Sequence, residues 1–187
     1  MRRARQLILV PALVLVSCGR PPPEAAGPSS SSQDLARAQS AVAELRGSLQ
    51  KALGSALVRD RTSAIEVCAR KAPEIAAAIS AASPGVMVGR TSHKLRNPSN
   101  APRPWVLPLL EEYRRKQRDE TPRAVSLPSG GLGYVEPIYT KPMCLTCHGP
   151  TLEPGLAARI RQTYPDDQAI GFKEGDLRGL FWAEVRR

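Results

Sequence analysis

The stretch Ser83-Pro84-Gly85-Val86-Met87-Val88 divides this 187-residue sequence into two parts with different periodicity. Before it, apolar residues recur at the spacing of an amphipathic helix. After it, short β-branched and aromatic runs alternate with turn-forming residues. We therefore predict an α+β domain in which helices precede a small antiparallel sheet with helical insertions.

The first part of the sequence predicts three helices. A long N-terminal helix spans residues 33–60, and its apolar face consists of Leu35, Val42, Leu45, Leu49, Leu53 and Leu57. Ser63, with Glu66 three residues later, has the pattern of a capping box and would open a short helix over residues 63–69. A proline suits the first turn of a third helix, over residues 73–82.

The second part predicts a four-stranded sheet. The strands are expected at residues 86–88, running into Gly89, and at residues 124–127, 133–139 and 176–185. Two helices are expected between them, at residues 105–118 and 154–163.

The first 32 residues have the composition of a leader and a tether. Residues 1–17 combine a basic start with a short apolar run, which predicts a signal peptide. Leu15-Val16-Ser17-Cys18 resembles a lipobox, so Cys18 would carry lipid; a plain signal peptide with an incidental cysteine is the alternative. Residues 18–32 are rich in Pro, Gly and Ser and predict a flexible tether, which leaves residues 33–187 as one domain. We expect an exported protein anchored on the periplasmic side of a membrane, and Gly19 favours the outer membrane.

The sequence is strongly basic, with a formal net charge of +10. Three of the basic residues lie in the predicted leader, and an exported protein does not meet nucleic acid. We therefore expect no nucleic-acid partner and interpret the charge as a solvated surface. Aromatic residues make up only 4% of the chain, and a bound apolar group could supply the missing core volume.

Cys144-Leu145-Thr146-Cys147-His148 contains C-x-x-C-H, the attachment pattern of c-type haem. Two thiols separated by two residues can reach both vinyl groups of one porphyrin and form thioethers. The adjacent histidine then supplies a nitrogen ligand to the iron. The pattern predicts one covalent haem c on Cys144, Cys147 and His148.

Three other functions of this motif are less consistent with the sequence. A thioredoxin-like redox pair expects a βαβ context, which the predicted elements do not provide. A zinc site could use Cys68 with Cys144 and Cys147, but Cys147 and His148 are adjacent and no second paired-ligand element exists. A disulfide across two intervening residues would be strained in most settings.

The second axial ligand of the iron is not fixed by the motif. Cys68 has no disulfide partner left, so it is either a buried core residue or a residue whose sulfur is bound to another group. His93 is the other histidine in the chain and is the default choice from ligand chemistry. Met87 and Met143 are further candidates, although Met143 is too close to the motif to reach the opposite haem face easily.

Five segments in order resemble one bacterial family, the Tll-type c-haem domains, over about residues 35–187. The segments are Ala64-Ile65-Glu66-Val67-Cys68, Val88-Gly89-Arg90-Thr91-Ser92, residues 94–102, residues 144–149 and residues 171–179. The resemblance implies an exported or sensor-attached module with a PAS-like fold, a small antiparallel sheet flanked by helices. It also implies that Cys68 binds the iron opposite His148. His93 departs from the family pattern, which keeps it as a rival ligand.

Three basic residues beside a turn-rich loop are candidates for contacts with the haem propionates: Arg90, Lys94 and Arg96. A solvated basic loop is an equally good interpretation.

A haem with two protein ligands has no open position for substrate, so we expect a protein that is not an enzyme. A thiolate ligand favours ferric iron. The first hypothesis is redox or gas sensing through a haem with His and Cys ligands, with an unidentified signalling partner. The alternative is a tethered periplasmic electron carrier, which keeps both ligands in both oxidation states. A peroxidase ranks last because no distal acid–base pair is evident.

Overall fold

A computed structural model describes residues 30–116 and 118–186. The predicted signal peptide, the predicted lipidation site Cys18 and most of the predicted tether lie outside these residues. Among the described helices, none combines the length and the apolar character needed to cross a membrane.

The chain begins with helices and continues with strands. The helices are α1 Ser30–Arg59, α2 Arg61–Glu66, α3 Ala72–Ala82, α4 Leu107–Arg115, α5 Leu145–His148 and α6 Pro154–Thr163. A π-helical turn, Val67–Lys71, joins α2 to α3, and short 3₁₀ turns lie at Pro98–Asn100 and Pro142–Cys144. The strands are β1 Val86–Thr91, β2 Arg123–Ser126, β3 Leu132–Tyr139 and β4 Leu177–Val185.

The start of α2 corrects the predicted capping box. Asp60, not Ser63, is the N-cap, and its Oδ1 accepts a hydrogen bond from the Ser63 backbone N–H at 2.7 Å. A carboxylate satisfies this free N–H group as well as a hydroxyl does, so the helix begins two residues earlier than expected. Glu66 instead forms salt bridges with Arg70 and Arg159.

The predicted break between the second and third helices is absent. The chain stays helical from α2 to α3 through the π-helical turn, in which the Ala72 N–H donates to the Val67 carbonyl. The widened turn leaves one residue more between donor and acceptor than an α-helix does. Pro73 follows in the first turn of α3, where its missing N–H costs nothing.

The four strands form one antiparallel sheet in the order β1-β4-β3-β2. The C-terminal strand β4 lies at the centre, between β1 and β3. The predicted α+β class is therefore confirmed, with a small antiparallel sheet flanked by helices and a long N-terminal helix.

Each face of the sheet is covered by helices. On one face, α1 and α3 pack against Val86, Val88, Tyr134, Ala183 and Val185. On the other face, α4 places Leu110 and Tyr113 against Val135, Leu180 and Trp182. Successive side chains of β1 and β4 point to opposite faces of the sheet, so these two strands contribute to both cores.

A third apolar cluster lies away from the sheet, where α2 and α6 meet. It contains Ile65, Leu156, Ile160 and Tyr164, and Ala69 and Cys147 pack against it. This cluster connects the π-helical turn to the Cys-x-x-Cys-His segment.

The close approach of β4 to the end of β1 requires a glycine at position 179. A Cβ atom there would lie 2.0 Å from the Thr91 carbonyl oxygen. We expect Gly179→Ala to lower the free energy of unfolding by about 1–3 kcal/mol, because backbone must shift to accept the methyl group. Urea unfolding measures the change.

Gly54→Ala is the matched control, because a Cβ at this position of α1 meets nothing within 4 Å. Alanine should raise the free energy of unfolding by about 0.5–1 kcal/mol there. Equal effects of the two substitutions would contradict the close approach.

Candidate functional site

The Cys-x-x-Cys-His segment forms a compact helical turn. The 3₁₀ turn Pro142–Cys144 leads directly into α5, so Cys144 and Cys147 are three residues apart on a helical backbone. This spacing places their side chains on the same side of the turn. Both thiols are free in the structure.

His148 is held in one orientation by a backbone carbonyl. Its Nδ1–H donates to the carbonyl oxygen of Ala169 at 2.7 Å, which leaves the lone pair of Nε2 free. Burial, together with the charges of Arg178 and Arg96, lowers the pKa of His148 to about 2. The imidazole is therefore neutral and suited to donate Nε2 to a metal.

The segment that supplies this carbonyl lies across the end of the motif. The Phe172 N–H donates to the His148 carbonyl at 2.9 Å, and the Gly171 N–H donates to the Gly149 carbonyl at 3.0 Å. Asp167 accepts from the Ala169 N–H at 2.8 Å. These bonds satisfy the carbonyls at the end of α5 and fix the position of the Ala169 carbonyl.

Arg96 belongs to this support. Its guanidinium pairs with both carboxylate oxygens of Asp167, at 3.1 Å and 3.0 Å, and the two side chains are only 9% and 6% exposed. The same guanidinium donates to the Cys147 carbonyl at 2.6 Å. The structure thus gives Arg96 protein partners, whereas in the sequence it was a candidate either for a propionate contact or for a solvated basic loop.

Cys68 lies in the π-helical turn and is partly exposed. Burial raises the pKa of Cys147; Arg96 lowers it, and the charge of Cys68 raises it. Burial likewise raises the pKa of Tyr164 to about 12, with Cys68 as the second cause. The charge of Cys68 therefore acts on Cys147 and on Tyr164, and Tyr164 belongs to the apolar cluster beside Cys147. Single π-turns inside helices are frequent at functional sites.

His93 has different neighbours. Its ring packs edge-on against Phe172 at a centroid distance of 5.8 Å, and its Nδ1 has no hydrogen-bond partner among the described residues. Burial lowers the pKa of His93, and so do the charges of Arg114, Lys94 and Arg178. Phe172 also contacts the ring of His148, at 6.3 Å.

The other two predicted basic residues lie in different settings. Lys94 donates to the Ile170 carbonyl at 3.2 Å, and its ammonium lies 5.1 Å from the centre of the Phe172 ring. Arg90, in β1, is close enough to lower the pKa of His148 by its charge.

Sequence reasoning missed Arg178, which lies at the start of β4. Its guanidinium donates to the Ser92 hydroxyl at 2.9 Å and lies 5.0 Å from the centre of the Phe172 ring. Burial, together with the charges of Arg90 and Arg96, lowers the pKa of Arg178 to about 10. The available signal was its place in the segment 171–179, one of the five that carry the family resemblance.

The arrangement limits what the motif can do. The sheet of the described residues is wholly antiparallel, so the motif does not lie in the βαβ context of a thioredoxin-like site. No group of three or more His, Cys, Asp or Glu side chains within residues 30–116 and 118–186 could hold a metal ion. The site offers two thiols, one neutral imidazole, an apolar wall and several arginines, which suits a large apolar cofactor with carboxylates.

Comparison with known proteins gives two matches. The model of a protein family described as Tll0287-like matches residues 27–185. Among solved structures, the chain is similar to the cyanobacterial heme-protein Tll0287, with 26% sequence identity and a TM-score of 0.66. The similarity covers 83% of this chain and 96% of that one. No curated protein matches the chain.

The Arg96–Asp167 pair allows a test of how the motif is supported. We expect Asp167→Ala to lower the free energy of unfolding of the haem-free protein by about 3–5 kcal/mol, because Arg96 is left buried without its counter-charge. Urea unfolding followed by circular dichroism measures the loss.

Glu74→Ala serves as the control, because its salt bridge with Lys71 joins side chains that are 60% and 66% exposed. This substitution should change the free energy of unfolding by less than about 1 kcal/mol. A similarly small effect of Asp167→Ala would show that the buried pair does not hold the site together.

Proposed function

This chain belongs to the Tll0287-like family, and from that premise we propose that it is a haem protein of the c type. In this proposal one haem is attached through thioethers to Cys144 and Cys147, and His148 ligates its iron through Nε2. Bound haem supplies an iron that gains or loses a single electron.

One observation carries the proposal. The His148 Nδ1–H is bonded to the Ala169 carbonyl, so Nε2 is free beside two unpaired thiols on the same helical turn. A histidine that ligates a metal nearly always donates its other ring N–H to such an acceptor, which fixes the tautomer and the ring orientation.

We assign the second axial position to Cys68. Its charge acts on the pKa of Cys147 and of Tyr164, and it lies beside the apolar cluster that Cys147 completes. His93 is the rival, and its unpartnered Nδ1 supports that alternative. The pKa of His93 is lowered most by burial, and then by the charges of Arg114, Lys94 and Arg178. None of these three residues belongs to the Cys-x-x-Cys-His segment.

With His and Cys ligands, the haem has no open position for a substrate, so the proposed protein is not an enzyme. A thiolate favours the ferric state, and reduction weakens its bond to the iron. The proposed function is redox or gas sensing: His148 and Cys68 would hold the iron, the haem would supply one-electron redox chemistry, and Cys68 would be the ligand that can be released in favour of a gas. The signal would pass to an unidentified protein partner.

Electron transfer is the second candidate function. Met143, next to the attachment cysteine, is 53% exposed, so the motif lies close to the protein surface. A haem edge near the surface allows an electron to pass to a docked partner without loss of either ligand.

We also propose that the domain works on the periplasmic side of a membrane, held by lipid at Cys18, with the outer membrane favoured. The lipobox-like sequence and the basic, apolar leader before it support this location.

The axial ligand is tested by comparing Cys68→Ala with His93→Ala in protein exported alongside haem-maturation machinery. Electron paramagnetic resonance of the ferric parent should show a low-spin, thiolate-type signal. We expect the signal to disappear in Cys68→Ala and to persist in His93→Ala, because only the first removes a ligand. A bis-histidine signal in the parent that persists in Cys68→Ala and disappears in His93→Ala would instead assign His93 as the ligand.

The two candidate functions predict different behaviour on reduction. For a sensor, the ferrous protein should lose the thiolate and bind carbon monoxide at one equivalent per haem, measured by the shift of the Soret band. A ferrous protein that stays six-coordinate and binds no carbon monoxide would instead establish an electron carrier.

A further inference from the structure

Three arginines surround the motif, and they come from separate parts of the chain. Arg90 lies in β1, Arg96 in the loop after it and Arg178 in β4. The guanidinium of Arg178 lies 5.0 Å from the centre of the Phe172 ring, and that ring packs edge-on against His148 at a centroid distance of 6.3 Å. The charges of all three arginines also lower the pKa of His148.

These arginines do not have equivalent partners. Arg96 is neutralised by Asp167 in a two-point ion pair. Within residues 30–116 and 118–186, no carboxylate lies within ion-pair distance of Arg90 or Arg178. Arg178 has a hydroxyl of Ser92 and the face of Phe172 as its neighbours, and neither carries a negative charge.

The local charge count is therefore unbalanced. Three arginines against the carboxylate of Asp167 and the proposed thiolate of Cys68, both of which act on Arg178, leave a surplus of one positive charge beside His148. Desolvated charges are costly unless they are paired, so this surplus needs an anionic counterpart. A haem carries two propionates, which provide two negative charges on one edge of the ring.

The position of Arg178 is fixed by the fold. The Ser92 hydroxyl donates to the Arg178 carbonyl at 2.6 Å and accepts from its guanidinium at 2.9 Å. Gly179 allows this approach, because a Cβ there would lie 3.2 Å from the Cα of Ser92. Phe172, which packs edge-on against His148, lies under the guanidinium.

We infer that Arg178, together with Arg90, forms the carboxylate site that binds the propionate edge of the haem. The inference rests on the proposed haem function and changes the set of residues expected from the sequence. Arg96 pairs with Asp167 and supports the motif. Lys94 donates a hydrogen bond to the Ile170 carbonyl, and its ammonium contacts the Phe172 ring. In this inference Arg178 is a cofactor-binding residue that contacts the haem at its propionates and not at the iron.

The guanidinium fork suits this task. A planar guanidinium binds both oxygens of a carboxylate, and such charge-assisted bonds are stronger than neutral ones. The contact with Ser92 leaves other N–H groups of Arg178 available, since an arginine has five.

The inference is tested by comparing two porphyrins that differ only at the propionates. The full chain, expressed without haem maturation, is titrated with iron mesoporphyrin and with its dimethyl ester, followed by Soret absorbance. Mesoporphyrin has ethyl groups in place of vinyls, so no thioether forms and the binding is reversible. The parent should bind the free acid at least tenfold more tightly than the ester, which corresponds to one charge-assisted pair.

Arg178→Gln should reduce this preference about tenfold while it changes the affinity for the ester little. Arg161→Gln is the control, because Arg161 is exposed on α6, and its substitution should leave the preference unchanged. Arg90→Gln should reduce the preference as well. Arg178→Lys keeps a positive charge and should retain part of it. Circular dichroism shows whether each variant is folded. If Arg178→Gln does not fold, the preference of Arg90→Gln for the free acid tests the inference.

Two results would overturn the inference. If Arg178→Gln weakens both porphyrins equally, Arg178 has only a structural role or serves the Cys68 thiolate. If the parent binds both porphyrins equally well, the propionates are not held by the protein. Failure of the parent to bind either porphyrin would also overturn the inference, because the fold would then not hold the propionate edge. The proposed haem function would fail only if protein exported alongside haem-maturation machinery carried no covalent haem, so the two failures are distinguishable.

Discussion

The hydrogen bond from His148 Nδ1 to the Ala169 carbonyl is the interaction on which the rest of the site depends. It selects the tautomer that leaves Nε2 free, and it holds the ring at a fixed angle to the two thiols. Asp167 fixes Ala169 through its backbone N–H and is itself fixed by Arg96. The buried Arg96–Asp167 ion pair thus determines the orientation of the His148 ring, although neither residue of the pair bonds to that ring.

The fold brings unlike chemistry to this point from its two parts. The helical part contributes the apolar wall and Cys68, through a π-helical turn that keeps α2 and α3 continuous. The sheet contributes charge, since Arg90 and Arg178 lie on the neighbouring strands β1 and β4. A large apolar ring with a charged edge matches this division. An apolar cofactor without carboxylates would leave the arginines unpaired.

Much of the fold was predictable, because its signals are local. The period of the apolar residues identified α1, and β-branched and aromatic runs between turn formers identified the four strands. The turn formers after α3 marked the change of class. The π-helical turn was not predictable, because Pro73 reads as the start of a new helix in sequence alone. The site was predicted where residues are adjacent, as in Cys144 to His148. Arg96 and Arg178 could not be told apart, since their roles depend on the distant partner Asp167, which only the folded chain brings near.

The central claim is that the haem is attached covalently to Cys144 and Cys147. Intact-protein mass spectrometry under denaturing conditions, after acid–acetone extraction, tests it most directly on chain exported alongside haem-maturation machinery. The account predicts a polypeptide heavier by the mass of one haem, and no retained haem when both cysteines are replaced by alanine. A parent polypeptide with its unmodified mass, from which all haem has been extracted, would contradict it.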